Sequence, residues 1–169
     1  MNYSGIKYAD MINGDGIRVS LFVSGCSHRC KGCFNKETWN AEYGNKFTSK
    51  EENEIIDYFK KYGKTIRGIS ILGGDPTYKD NIEPLIKFLK KFKNELPDRD
   101  IWIWSGYTYE EIMQKNNLRE LISYCDVLID GKFDENLKDL SLKWRGSKNQ
   151  RVIDIKKSFI ENNIVKYTE

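Results

Sequence analysis

Three of the four cysteines lie in one short stretch of the chain and carry the strongest chemical signal in the sequence. Cys26, Cys30 and Cys33 have the spacing CxxxCxxC, whereas Cys125 stands alone. A secreted disulfide framework would spread its cysteines, but clustered thiols in a reducing compartment usually bind metal or carry out redox chemistry. We therefore expect the three clustered cysteines to ligate a metal centre. Cys125 is expected to be a small buried core residue.

The number of clustered thiols limits the kind of metal centre. Structural zinc takes four protein ligands, and an iron–sulfur cubane normally takes four cysteines. Three thiolates leave one position open, which Cys125 or His28 could fill, or which a substrate could occupy. His28 is the only histidine, so sites that need two or more histidines are excluded. A loop residue with a hydrogen bond is the simpler interpretation of His28.

Length and composition predict one domain over residues 1–169. The chain is 39% hydrophobic with 8 Phe, 10 Tyr and 4 Trp, which is enough apolar area for a core. Its net charge of +3 is too small to indicate a nucleic acid or an anionic membrane as partner. No apolar stretch approaches the length of about 20 residues that spans a membrane, and no signal peptide is visible. We therefore expect a cytoplasmic protein.

Apolar runs that end in glycine alternate with amphipathic segments along the chain. Strands are predicted over residues 17–23, 67–72, 101–104, 126–129 and 152–155, and helices over residues 49–62, 82–93 and 108–123, the last interrupted near residues 116–117. This alternation predicts a parallel sheet with right-handed crossovers. A complete eightfold barrel needs about 200–250 residues. The expected fold class is therefore α/β, with a partial, open βα barrel of parallel strands.

Glycines follow the first four predicted strands, at Gly25, Gly73-Gly74, Gly106 and Gly131. Glycine turns the chain sharply and lets the backbone approach a ligand closely. Ligands of parallel α/β sheets bind at the carboxyl ends of the strands, and all four glycines are expected at that edge. The pattern therefore predicts a shared ligand platform beside the cysteine loop.

These motifs together resemble the radical S-adenosylmethionine (SAM) superfamily, because CxxxCxxC directly follows one strand and Gly73-Gly74-Asp75-Pro76 follows the next. A closer resemblance is to the activating proteins of anaerobic ribonucleoside-triphosphate reductase. The stretches that carry this resemblance lie between about residues 13 and 133: NGDGIRV, LFVSGCSHRCKGCFNKETWN, LGGDPTY, WSGYTYEE and DVLIDGKF.

The resemblance implies a set of cofactor-binding residues. The three clustered cysteines would ligate a [4Fe–4S] cluster, and the amino and carboxylate groups of SAM would chelate the open iron. The turn of Gly73, Gly74 and Asp75 would contact the SAM amino group, with Asp75 where the superfamily more commonly has glutamate. The remaining implied contacts are Gly32, Cys33 and Phe34 near the adenine, and Ser105 and Asp130 at the carboxylate or ribose.

The resemblance also implies a reaction and its partners. Reductive cleavage of SAM would give methionine and a 5′-deoxyadenosyl radical, which would take the α-hydrogen of a glycine in the large subunit of the anaerobic reductase. The electron would come from an external one-electron donor such as reduced flavodoxin. A protein substrate agrees with the short chain, because a half-walled site encloses a small molecule poorly.

Two alternatives to this interpretation stay open. One is a compact radical SAM enzyme that acts on a small molecule or on another glycyl-radical enzyme. The other is a non-enzymatic metal-binding or electron-transfer module.

Overall fold

A seven-stranded mixed sheet with five helices forms the fold of residues 1–168, the part of the chain that the computed structural model describes. The strands are β1 (Asn2–Asp10), β2 (Arg18–Val23), β3 (Asn45–Lys46), β4 (Gly68–Gly73), β5 (Asp100–Trp104), β6 (Val127–Asp130) and β7 (Arg151–Asp154). The helices are α1 (Ser49–Tyr62), α2 (Lys79–Glu95), α3 (Tyr109–Met113), α4 (Asn116–Ser123) and α5 (Ile155–Glu161).

The strand order is β3-β1-β2-β4-β5-β6-β7. The central strands β2, β4, β5 and β6 are parallel, as predicted. The expectation that all strands are parallel is wrong, because β7 pairs antiparallel with β6, and β1 and β3 form an antiparallel edge. The chain between β6 and β7 contains no crossover helix, and a parallel return needs one. The α/β class is thus confirmed, with an open, mixed sheet.

The helix bounds follow the sequence pattern closely. Helix α1 begins with a capping box, in which Thr48 and Glu51 satisfy each other's backbone N–H groups. Helix α2 is longer than predicted by three residues at its start and two at its end. The segment predicted as an interrupted helix is divided into α3 and α4. None of the helices in residues 1–168 has both the length and the apolar character that crossing a bilayer requires.

The main core lies between the sheet and the helices. Helices α1 and α2 meet through Phe59 and Phe92, whose rings pack edge to face with centroids 5.1 Å apart. The central strands contribute fully buried aliphatic side chains such as Leu21 and Ile71. A smaller core is built around Trp102 on β5, with Val127, Ile129 and Val152. Because the central strands are held on both faces, the loops at their carboxyl ends start from fixed positions.

Candidate functional site

A cavity of about 200 Å³ lies at the carboxyl ends of β4 and β5, and all three clustered cysteines line it. The lining also includes, from the other predicted site residues, Gly73, Gly74, Asp75 and Ser105. The structure therefore brings the cysteine loop and three of the four predicted glycine turns to one place, since Gly106 and Gly131 also line the cavity. It does not place Gly32, Phe34 or Asp130 in this cavity.

The three thiols are partly buried and free of disulfide bonds. Burial raises the pKa of Cys26 and Cys30, so both carry their protons near neutral pH, and metal binding must displace them. Within residues 1–168, no three Cys, His, Asp or Glu side chains stand close enough together to hold a single metal ion. Soft thiolates on one loop beside a cavity are nevertheless the donor chemistry that suits an iron–sulfur cluster.

Cys125 is remote from this loop and lies in the main core. Its side chain is fully buried, and its Sγ is 3.7 Å from the carbonyl oxygen of Leu121. Burial raises the pKa of the thiol, which keeps it protonated and unreactive. The prediction of a core cysteine is confirmed.

The start of the cysteine loop is clamped by backbone contacts to the turn after β4. The N–H of Asp75 donates to the carbonyl of Gly25 at 2.8 Å, and the N–H of Gly25 donates to that of Thr38 at 2.7 Å. A Cβ atom on Gly74 would stand 2.6 Å from the Gly25 oxygen and 2.9 Å from the Thr38 oxygen. Only glycine fits at position 74 without a shift of the loop, because both neighbouring atoms belong to the backbone.

Gly74→Ala is therefore expected to push the cysteine loop away from the sheet and to lower the free energy of unfolding by about 1–3 kcal/mol, as overpacking does. Gly5→Ala is the matched control, because a Cβ there meets nothing within 4 Å. Urea denaturation of both variants measures the difference. Equal midpoints for the two variants would show that the loop has room to shift.

The carboxylate of Asp75 is buried in the cavity wall and already has protein partners. Its Oδ1 accepts hydrogen bonds from the Thr77 N–H at 2.7 Å and from the Thr77 hydroxyl. Its Oδ2 accepts one from the Gly106 N–H at 3.1 Å and lies 2.7 Å from His28 Nε2. A ligand can therefore bind the backbone of this turn, but it can bind the carboxylate only by breaking existing contacts. Thr77 was missed from the sequence, although Asp-Pro-Thr is the signature of an Asx turn.

Ser105 completes this polar wall at the end of β5. Its hydroxyl is 2.8 Å from the Thr77 hydroxyl and accepts a hydrogen bond from the Tyr107 N–H at 3.0 Å. Ser105 directly follows β5, where the sequence places it, and it lines the cavity. The wall links the turns that follow β4 and β5.

Gly32 and Phe34 lie on the outer side of the cysteine loop, in an adjoining groove of about 530 Å³. The Phe34 ring is 97% exposed. Cys33 lines both the groove and the cavity, as do Asn35, Trp104, Phe133 and Gln150. None of these last four was predicted as a site residue. The position of Trp104 as the final residue of β5 is the one signal that could have found it.

Asp130 does not line the cavity that the cysteines line, and its carboxylate takes part in an ion-pair network. It is 1% exposed and accepts a hydrogen bond from the Tyr109 N–H at 2.7 Å. Arg151 contacts both Asp130 and Glu110, and its guanidinium lowers the pKa of Glu110 to about 2. The Asp130 carboxylate thus joins β6 to α3 and β7, and its placement gives no support to a ligand contact.

Comparisons with known proteins agree with the chemistry of the loop. The family model described as "4Fe-4S single cluster domain" matches residues 12–153. The anaerobic ribonucleoside-triphosphate reductase-activating protein of Pasteurella multocida is 44% identical over 150 residues, which cover 89% of this chain and 95% of that protein.

Two further relatives carry the same name. That of Escherichia coli K12 is 42% identical over 152 residues, covering 90% of this chain and 97% of the relative. That of Enterobacteria phage T4 is 44% identical over 152 residues, covering 90% and 93%. The chain therefore belongs to the family of anaerobic ribonucleoside-triphosphate reductase-activating proteins and contains a 4Fe-4S single cluster domain.

Proposed function

We propose that this protein activates anaerobic ribonucleoside-triphosphate reductase by forming a glycyl radical in it. The reaction uses SAM, reductively cleaved at a [4Fe–4S] cluster that Cys26, Cys30 and Cys33 ligate. The observation that carries the proposal is the cavity at the strand ends, which these three thiols line together in a chain of this family. Cys125 is too deeply buried to be the fourth ligand, and the Nε2 atom of His28 lies against the Asp75 carboxylate, so one iron is left for SAM. The open sheet would then serve as a partial barrel of the radical SAM type.

The backbone of Gly73 and Gly74 is proposed to bind the SAM amino group, since carbonyl oxygens accept hydrogen bonds from an ammonium-type donor. Asp75 supports this turn from behind through its existing contacts, and Ser105 offers a hydroxyl at the neighbouring strand end. A cavity of about 200 Å³ is smaller than the sites of roughly 300–1,000 Å³ that enclose ligands of this size. SAM is therefore expected to extend past Cys33 toward the groove, where Gly32 and Phe34 lie.

When bound, the cluster would supply the single electron for cleavage of SAM to methionine, and an external one-electron donor such as reduced flavodoxin would replace that electron. The net outcome for the protein substrate is transfer of one α-hydrogen atom from glycine to the 5′-deoxyadenosyl group. The chain's own task is to keep water and stray hydrogen donors away from the cavity. Trp104 and Phe133 are the apolar walls that serve this purpose.

The groove beside the cavity supports a polypeptide as the hydrogen donor. Three large apolar side chains surround it on different loops: Ile12 is 70% exposed, Phe34 is 97% exposed and Leu140 is 88% exposed. Such a patch next to a reactive site is typical of a surface that another protein covers. The glycine-bearing segment of the reductase would cover this groove while its glycine enters the cavity. A small-molecule substrate would leave the same side chains in water.

The test is an anaerobic mixture of the reconstituted protein, SAM, a one-electron reductant and the reductase, followed by electron paramagnetic resonance (EPR). The expected result is a glycyl doublet in the reductase that depends on SAM. Leu140→Ser should slow its appearance by about tenfold, equivalent to 1.4 kcal/mol, without changing the iron content. Ile160→Ser, which removes a side chain that is 84% exposed on α5, should have no effect.

Two outcomes would contradict the proposal in different ways. If SAM is cleaved but no doublet forms with the reductase, the substrate is a different one. If the doublet forms equally fast with Leu140→Ser and Ile160→Ser, the reductase is the substrate but does not dock in the groove.

A further inference from the structure

The loop between the first two cysteines turns one side chain inward. Ser27 and Arg29 are exposed, whereas the side chain of His28 between them is only 6% exposed. His28 is also the only histidine of the chain. A polar ring buried inside a ligand loop needs a physical explanation, because burying it without partners costs free energy.

The His28 ring is held between the turns that follow β4 and β5. Its Nε2 is 2.7 Å from Asp75 Oδ2, although the ring N–H is not aligned for a hydrogen bond. Its edge packs against Tyr107, with ring centroids 4.6 Å apart and planes 75° apart. A Cβ atom on Gly106 would lie 2.3 Å from its Cδ2, so the ring fills the space that this glycine leaves.

Asp75 is the point where these contacts converge. The same carboxylate receives the Gly106 N–H and both polar hydrogens of Thr77. Asp75 directly follows the Gly73-Gly74 turn in the chain. A displacement of the His28 ring would therefore shift the backbone of that turn and the start of the segment after β5.

We propose that His28 is a positioning residue that, through Asp75 and Tyr107, holds the cysteine loop against the ends of β4 and β5. The consequence is that the cluster-ligating thiols and the Gly73-Gly74 turn keep a fixed separation and can grip the same SAM molecule. This consequence rests on the proposed function, whereas the contact itself is a property of the metal-free protein. The role depends on the shape and contacts of the ring and not on its charge.

The first test uses the metal-free protein and amide hydrogen exchange. His28→Ala should speed exchange at the Gly106 N–H and across residues 26–33, because the loop loses its inner support. His28→Gln, which fills part of the space, should restore part of the protection. Ser27→Ala is the matched control and should exchange like the unsubstituted protein. If His28→Ala and Ser27→Ala give the same protection, the proposal is wrong.

The second test uses the reconstituted protein and the change that SAM causes in the EPR spectrum of the reduced cluster. His28→Ala should load the same amount of iron, because the ring is not a ligand, but should need about tenfold more SAM for half of that change, as removal of supporting residues at metal sites typically does. Asp75→Asn should act similarly. The double variant should need no more SAM than the single variant with the larger requirement, because both substitutions remove the same connection.

The outcomes of the second test separate the possible errors. Additive effects of the two substitutions would show that His28 does not act through Asp75. Loss of iron in His28→Ala, with the iron of Asp75→Asn unchanged, would show that His28 is a ligand instead. Either result overturns the proposal. Absence of SAM cleavage in the unsubstituted protein would overturn the proposed function and leave the hydrogen-exchange result unaffected. If His28→Ala does not fold, both the hydrogen-exchange and the EPR measurements are made on His28→Gln.

Discussion

Replacing Cys26, Cys30 or Cys33 with alanine is expected to remove the cluster and to reduce SAM cleavage to background. Each substitution leaves only two thiolates on the loop, which is too few to hold a cubane against loss to solvent. Iron analysis, the absorbance of the reconstituted protein and the release of 5′-deoxyadenosine measure the outcome. This is the largest functional effect expected for any single substitution in the chain.

Cys125→Ala is the matched control for these three variants. Its side chain is fully buried in the core, so the substitution should keep the iron and the activity and cost on the order of 1 kcal/mol of stability. If a variant of the clustered cysteines retains full iron and activity, that thiol is not a ligand. If folded Cys125→Ala loses its iron, the assignment of the cluster to three cysteines is wrong.

The sequence predicts well those parts of the fold that depend on local patterns. Helix α1 is bounded correctly because the Thr48–Glu51 capping box is encoded by two residues three positions apart. The central strands are found because they are largely buried and contain short apolar runs such as residues 21–23. The cysteine loop is found because its three cysteines lie within one stretch of eight residues.

Other parts of the fold depend on pairing between distant segments. Strand β1 has no apolar alternation, since only its end residues Asn2 and Asp10 are buried. It forms because its backbone pairs with β2 and covers that strand's open edge. The direction of β7 is likewise set by the long irregular connection before it, which carries no periodic signal. Neither feature can be read from a local window of sequence.

The candidate site shows the same division. Residue types and the glycine turns identify which segments meet, and most of the predicted residues do line one cavity. The roles of individual side chains depend on contacts between segments. The carboxylate of Asp75 contacts Thr77, Gly106 and His28, which come from three different loops. The carboxylate of Asp130 forms an ion pair with Arg151. A sequence alone cannot show that such an acceptor is already occupied.

The largest expected effect on stability lies at the opposite end of the sheet from the thiols, at a buried arginine. Arg18 begins β2 with its side chain fully buried, and its guanidinium forms an ion pair with Asp100 at 2.5 Å. Its guanidinium also donates to the Ser70 hydroxyl at 2.7 Å and to the carbonyl oxygens of Ile69 at 2.9 Å and Asp15 at 3.0 Å, and it lies 5.0 Å from the centroid of the Trp102 ring. Burial lowers the pKa of Arg18, and the carboxylate of Asp100 opposes that shift.

Asp100→Ala should therefore lower the free energy of unfolding by about 3–5 kcal/mol, because it leaves a buried guanidinium without its counter-ion. Asp98→Ala is the control, since Asp98 is exposed on the loop before β5 and should change stability by no more than about 0.5 kcal/mol. Urea denaturation measures both, provided that the slope with denaturant is unchanged. Similar midpoints for the two variants would mean that the carbonyl groups around Arg18 compensate its charge without Asp100. Because Arg18 lies at the start of β2 and the cysteine loop follows its end, folded Asp100→Ala should bind the same amount of iron, which separates the stability of the sheet from the chemistry at its edge.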